Sequence, residues 1–122
     1  MQTDFSDAVL KSVFFVRSDL RMVNFTRTHA TVSLFSGSDM RNANMQEMVM
    51  DKPRITESNL TGSDLSGMRM SGGQVFDSEM PESILHADVA DTMFVYSKKR
   101  PERHIEMLAG QNGNTIEIRE QI

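Results

Sequence analysis

Counting back in fives from Leu60 meets Ile55, Met50, Met45, Met40, Phe35, Ala30, Phe25, Leu20, Phe15, Leu10 and Phe5. Counting forward meets Leu65, Met70, Val75, Met80, Leu85, Ala90 and Val95. Nineteen consecutive positions of one register are apolar in a chain that is 39% hydrophobic overall. By chance, allowing for five registers, that is roughly a one-in-ten-million event, so the repeat is built into the sequence. The position two before each centre is small (Ser, Thr, Ala or Gly) in twelve of the nineteen units. The position just before the centre is Asp or Asn at Asp4, Asp19, Asn24, Asp39, Asn44, Asn59 and Asp64.

A period of five fits neither a helix of 3.6 residues per turn nor an uninterrupted strand of period two. It fits a chain that turns a corner every five residues, pointing one large and one small side chain inward on each side. Four sides close a square coil, and coils stacked at the strand spacing of ~4.8 Å satisfy each other's backbone groups. Units such as "SDLRM", "VNFTR", "SDMRN", "ANMQE", "SNLTG" and "SDLSG" resemble the pentapeptide-repeat family over about residues 3–97. The resemblance implies an all-β, right-handed quadrilateral β-helix of just under five coils. Val13, Val23, Met48, Pro53, Met68, Asp88 and Met93 depart from the family pattern at the small position, where local bulging is expected. The methionines are expected to fill this irregular core, Met being pliable, and not to form a metal site.

The division expected is residues 1–97 as β-helix and 98–122 as a C-terminal extension. In the extension, Pro101 and Gly110 frame a short helix with Ile105 and Leu108 on one side. "NTIEIREQI" then alternates as a strand, with Ile116, Ile118 and Ile122 on one side and Thr115, Glu117, Arg119 and Gln121 on the other. This extension either caps the last coil's open edge or forms a homodimer. No cap is legible at Met1-Gln2, ahead of the first coil.

Twenty residues per coil let each face be read from the sequence. One carries Ser18, Ser38, Ser58 and Ser78 in every coil, flanked by a candidate acidic stripe of Asp19, Asp39, Asn59 and Glu79. Arg21 and Arg41 beside it weaken that field. The serines are expected to bond backbone at the corners. Another face sends Phe14, Leu34 and Phe94 outward, with Phe76 and Tyr96 close by, a candidate partner surface.

The composition excludes several classes. Net charge is −4, concentrated as −5 in residues 51–96, which disfavours direct nucleic-acid binding. There are no cysteines, no nucleotide-binding loop, and His29, His86 and His104 fall on different faces or in the tail. No catalytic residues, cofactor or metal are therefore expected. Without a signal peptide or membrane span the expected location is cytoplasmic, with export by a signal-less route left open. The functional expectation is a non-catalytic protein-interaction module with a protein partner. Two alternatives stand beside it. One, implied by the family resemblance, is a duplex-DNA mimic binding a type II topoisomerase, gyrase; the other is a structural segment of a larger effector or scaffold.

Overall fold

The structure, a computed structural model, describes residues 3–119. Met1, Gln2, Gln121 and Ile122 therefore lie outside the described residues. The repeat winds as a parallel β-solenoid. Strands β1 (Val9–Lys11), β3 (His29–Thr31), β5 (Val49–Asp51), β7 (Arg69–Ser71) and β9 (Asp88–Ala90) stack into one five-stranded sheet. Strands β2 (Phe14–Val16), β4 (Leu34–Ser36), β6 (Arg54–Thr56), β8 (Gln74–Phe76) and β10 (Met93–Tyr96) stack into another. The other two faces are held by single bridges, Asp4 to Asn24 to Asn44 to Asp64 and Asp19 to Asp39 to Asn59 to Glu79.

Every fifth residue from Asp7 to Asp77 has a positive φ, glycine or not. These are the corners, two residues past each centre. On the two bridge faces each corner is a closed turn, as in Ala8 N–H to Phe5 O (3.0 Å) and Val23 N–H to Leu20 O (3.3 Å). Here the Asp/Asn before the centre has its reason. Its side chain accepts the backbone N–H two residues on, at 2.8 Å for Asp4 and Ser6, 2.9 Å for Asn24 and Thr26, and 3.0 Å for Asn59 and Thr61. Short polar side chains make such turns because they reach their own backbone.

The core is a set of columns. Phe5 stacks on Phe25 with centroids 5.4 Å apart, and Phe15 on Phe35 at 5.1 Å, with edge-to-face contacts across. Above them Met40, Met45, Met48, Met50, Met68 and Met70 are buried, the gap-filling expected of Met. Three of the bulky residues at small positions, Val23, Met48 and Met68, thus join the core. Pro53 is also buried, and the next coil answers with Gly73, where an added Cβ would stand 3.0 Å from the Pro53 ring.

The register holds from Phe5 to Met80 and then slips by one. The residues that take the core centres are Ile84, Val89 and Phe94 in place of Leu85, Ala90 and Val95, although Val95 is itself buried outside the core cluster. Pro81 gives the physical reason. In the coils below, Arg21, Arg41 and Thr61 close their turns by donating a backbone N–H to Asp19, Asp39 and Asn59; proline has none to give Glu79. The chain forms a 3-10 turn over Glu82–His86 instead, which completes that side one residue early.

The tail forms the two elements expected of it. Helix α1 (Arg103–Leu108) begins two residues after Pro101 and buries Ile105 and Leu108, packing on the 3-10 turn. Strand β11 (Thr115–Ile118) pairs parallel with β10 as a sixth rung of its sheet. Ile116 packs against the core, but Ile118 is exposed, so the expected apolar side of this strand is only half used. Asn114, buried ahead of β11, accepts the Thr92 N–H (3.0 Å) and donates to Val89 O (2.8 Å). Among the described residues no helix is long and apolar enough to cross a membrane.

Candidate interaction surfaces

The serine column is bonded along the axis. Ser18 N–H donates to the Ser38 hydroxyl (3.2 Å), Ser38 to Ser58 (3.1 Å) and Ser58 to Ser78 (3.1 Å). Each hydroxyl in turn donates to a corner carbonyl two residues back, for example Ser58 to Thr56 O at 3.1 Å and Ser78 to Phe76 O at 3.0 Å. Beside it, Asp19, Asp39, Asn59 and Glu79 stand in one line as the sequence places them.

That line is not a row of bare charge. Arg21 grips Asp19 through Nε (2.8 Å) and a terminal nitrogen (2.7 Å), and Arg41 grips Asp39 in the same way (2.9 and 2.7 Å). Arg21 also lies 3.8 Å from the next rung's Asp39. The Arg21 bonds hold the Asp19 carboxyl down to about 2, and those from Arg41 lower Asp39. Asn59 accepts the Thr61 hydroxyl at 2.6 Å, and Glu79 pairs with Lys99 of the tail at 3.4 Å. The concavity of about 490 Å³ along this ladder is lined by Asp19, Arg21, Met22, Arg41 and Asn42, mixed in sign and open to solvent.

The apolar candidates divide. Phe14 is 66% exposed and sits in strand register directly on Leu34, which is half-buried. Val16, in the same rung, is 56% exposed. Further along, the two outward columns turn polar at Ser36, Arg54, Thr56 and Gln74 before Phe76, which is half-buried. Phe94 and Tyr96 do not belong to this surface, contrary to the sequence reading: both are fully buried. The one-residue slip turns Phe94 inward onto Val75, and the tail covers Tyr96, whose hydroxyl burial raises well above its ordinary value. Val95 takes the register place beside Phe76 but is buried there. It lines a groove of about 480 Å³ with Arg54, Thr56, Glu57, Asp77, Ser97 and Arg119.

The candidate surface left out other outward apolar side chains, Val9 and Val32 among them. Val9, on the neighbouring sheet's first strand, is 66% exposed, and Val32 occupies a left-handed corner between the two sheets. The same twenty-residue count that places Phe14 outward places Val9 so as well, because both flank core centres of the first coil. Among the described residues no cluster of His, Asp and Glu is arranged to hold a metal ion.

Residues 33–67 match the family model for pentapeptide repeats (8 copies). That segment carries pentapeptide repeats, and the fold of the chain is a parallel β-solenoid. No curated protein matches its sequence. Among solved structures, one of QnrB1 after trypsin treatment, a plasmid-mediated fluoroquinolone resistance protein, aligns with it over 93% of this chain and 77% of that one. The two share 13% identity, with a TM-score of 0.38.

Proposed function

We propose that this chain is a non-catalytic protein-binding rod whose docking surface is the N-terminal part of the β2–β4 face. One observation carries the reading: Phe14 stands out from a regular strand directly above Leu34, with Val16 beside it, on a face that then turns polar at Ser36, Arg54, Thr56 and Gln74. Contiguous apolar side chains on a rigid surface mark a place where another protein docks. The rigid backbone lowers the cost of ordering that surface on binding. The partner is a protein with an apolar anchor of its own.

Capture of partners by the immobilised chain, compared with a Phe14→Glu/Leu34→Glu variant of unchanged melting temperature, tests this. Loss of specific capture in the variant supports the docking surface; equal capture by both removes it.

A second reading, mimicry of duplex DNA toward a type II topoisomerase, rests on the acidic line of Asp19, Asp39 and Glu79. The ion pairs to Arg21, Arg41 and Lys99 weigh against it, since neutralised carboxylates do not imitate a phosphate row. A gyrase supercoiling assay is expected to be unaffected by the protein. Inhibition that an Asp19→Asn/Asp39→Asn/Glu79→Gln variant loses would reverse the order of the two readings.

A further inference from the structure

Where the two sheets meet, a column of corners and a column of strand residues run side by side along the rod. The corners are Val32, Lys52 and Gly72, all at positive φ, and the strand residues are Leu34, Arg54 and Gln74. The middle rung of these columns lies inside the rod, since β6 is paired with β4 on one side and β8 on the other. Val32, Lys52, Pro53, Arg54, Gly72 and Gln74 line a concavity of about 470 Å³ there. Its shape follows from the residues. Pro53 is buried between the two columns, and Gly72 has no side chain to fill the corner beyond Lys52, where an added Cβ would stand 3.3 Å from the Lys52 Cγ.

The lining changes character within one rung. Val32 is 49% exposed beside the half-buried Leu34, and on the next rung both positions carry exposed cations, Lys52 and Arg54. Arg21, Arg27, Arg41, Lys98 and Lys99 each meet a carboxylate of the chain. Among the described residues Lys52 and Arg54 meet none. Arg54 also continues the column of Phe14 and Leu34, so the apolar docking face runs directly into an unneutralised pair of positive charges.

We infer that Lys52 and Arg54 receive a carboxylate from an α-helix of a partner protein, laid along the rod axis with its apolar side chains on Leu34, Val32 and Phe14. The inference rests on the protein-binding reading and deepens it by naming the partner's chemistry. The spacing selects a helix. Phe14, Leu34 and Arg54 succeed one another at the strand spacing of ~4.8 Å, which sets the first and third about 9.6 Å apart. A helix advances about 5.4 Å per turn and about 10.5 Å from i to i+7, so it keeps step over three rungs. An extended strand sets same-side residues about 6.6 Å and then about 13 Å apart, and falls out of step. Apolar residues at i and i+4 therefore meet Phe14 and Leu34, and Asp or Glu at i+7 meets the cation pair. The surroundings select a single carboxylate over a polyanion. Asp51 precedes Lys52, and Glu57 and Asp77 line the adjoining groove with Arg54, acids that repel a continuous row of phosphates.

The probe is a labelled, alanine-based helical peptide with Leu at i and i+4 and Glu at i+7, titrated into the full chain at low salt. The same peptide with Gln at i+7 is expected to bind about tenfold more weakly. Lys52→Gln/Arg54→Gln, at exposed positions, is expected to keep its melting temperature, to weaken the Glu peptide by about the same factor and to leave the Gln peptide unchanged. A Pro at i+5, which breaks the helix, is expected to abolish binding. Equal binding of the Glu and Gln peptides, undiminished binding of the Pro peptide, or no binding of the helical peptide up to about a millimolar overturns the inference. Binding to phosphatidylserine vesicles that Lys52→Gln/Arg54→Gln loses, with no preference between the peptides, overturns it in favour of a membrane surface. Failure here is separable from failure of the docking face. Partner capture that is lost in Phe14→Glu/Leu34→Glu and kept in Lys52→Gln/Arg54→Gln preserves the docking face and removes the acidic helix.

Discussion

Asp77 holds Ser97 at two points at once, accepting its backbone N–H at 2.6 Å and its hydroxyl at 2.5 Å from one full coil below. The same carboxylate takes the Lys98 N–H at 3.2 Å. This is where the repeat hands the chain to the tail, and one corner residue with a positive φ does the holding.

Asp77→Ala is therefore expected to loosen the tail more than the rod. Loss of hydrogen bonds to a charged acceptor costs about 1.5–3 kcal/mol. In hydrogen exchange, β11 amides should speed up well before those of β4. Uniform acceleration across both strands would show that Asp77 carries global stability and is no local latch.

The slipped register makes a sharp comparison. Phe94→Ala empties a fully buried site and is expected to cost about 3–5 kcal/mol, whereas Leu85→Ala, at a partly buried site, should cost less than half of that. In the unslipped part, Leu60→Asp should unfold the rod while Thr61→Asp, at an exposed corner, is tolerated. Chemical denaturation of the four variants decides it. Equal loss at Phe94 and Leu85 would contradict the slip.

How far the fold was legible follows from these same residues. The centres from Phe5 to Met80 follow from the period alone, because each repeats one local rule: large side chain in, Asx or strand before it, left-handed corner after it. The slip was hidden because Leu85, Ala90 and Val95 are also apolar, so the wrong register stayed plausible. Pro81 was the signal, visible only once the N–H that closes each turn was known to matter. Phe94 and Tyr96 were misplaced as surface for that reason. Phe14 and Leu34 were placed outward correctly, since they precede the slip. The neutralisation of Asp19 and Asp39 was half legible, in Arg21 and Arg41 two residues on; Lys99 reaching Glu79 was not, being a contact made by the tail.

Val32 is a β-branched residue at a left-handed corner, φ 51°. Such a residue in that region stores roughly 1–2 kcal/mol of strain. Its side chain is about half exposed, so little packing is lost on replacement. Val32→Asn is expected to raise stability by about 1 kcal/mol, since Asn tolerates this conformation best after Gly. A lowered melting temperature would mean that the Val32 side chain contributes more by contact than it loses by strain.

Acid should weaken the molecule in a defined window. Arg41 lowers Asp39, Arg27 lowers Asp7, and Asp77 is lowered by its bonds from Ser97 and Lys98 against the opposing effect of burial. Asp19 is held at about 2 by Arg21. A carboxylate whose folded pKa is depressed contributes stability that is complete above its unfolded value of about 3.9 and is lost as pH falls through the folded value. The melting temperature is expected to be level from pH 7 to about 5 and to fall steadily below about 4. A level curve down to about pH 3 would show that these pairs, mostly exposed, contribute nothing net.

The square coil also sets how this rod can change length. Twenty added residues lift everything above them by one rung and leave every side chain on its own face. Five added residues would carry all that follows a quarter-turn around the axis, exchanging the Asx-turn sides for the strand sides. The single residue missing after Pro81 is absorbed because the 3-10 turn tightens one side and returns the chain in phase to β9. Growth and shrinkage of such a molecule are thus quantised, and the turn over Glu82–His86 is the place where a fraction of a quantum has been taken up.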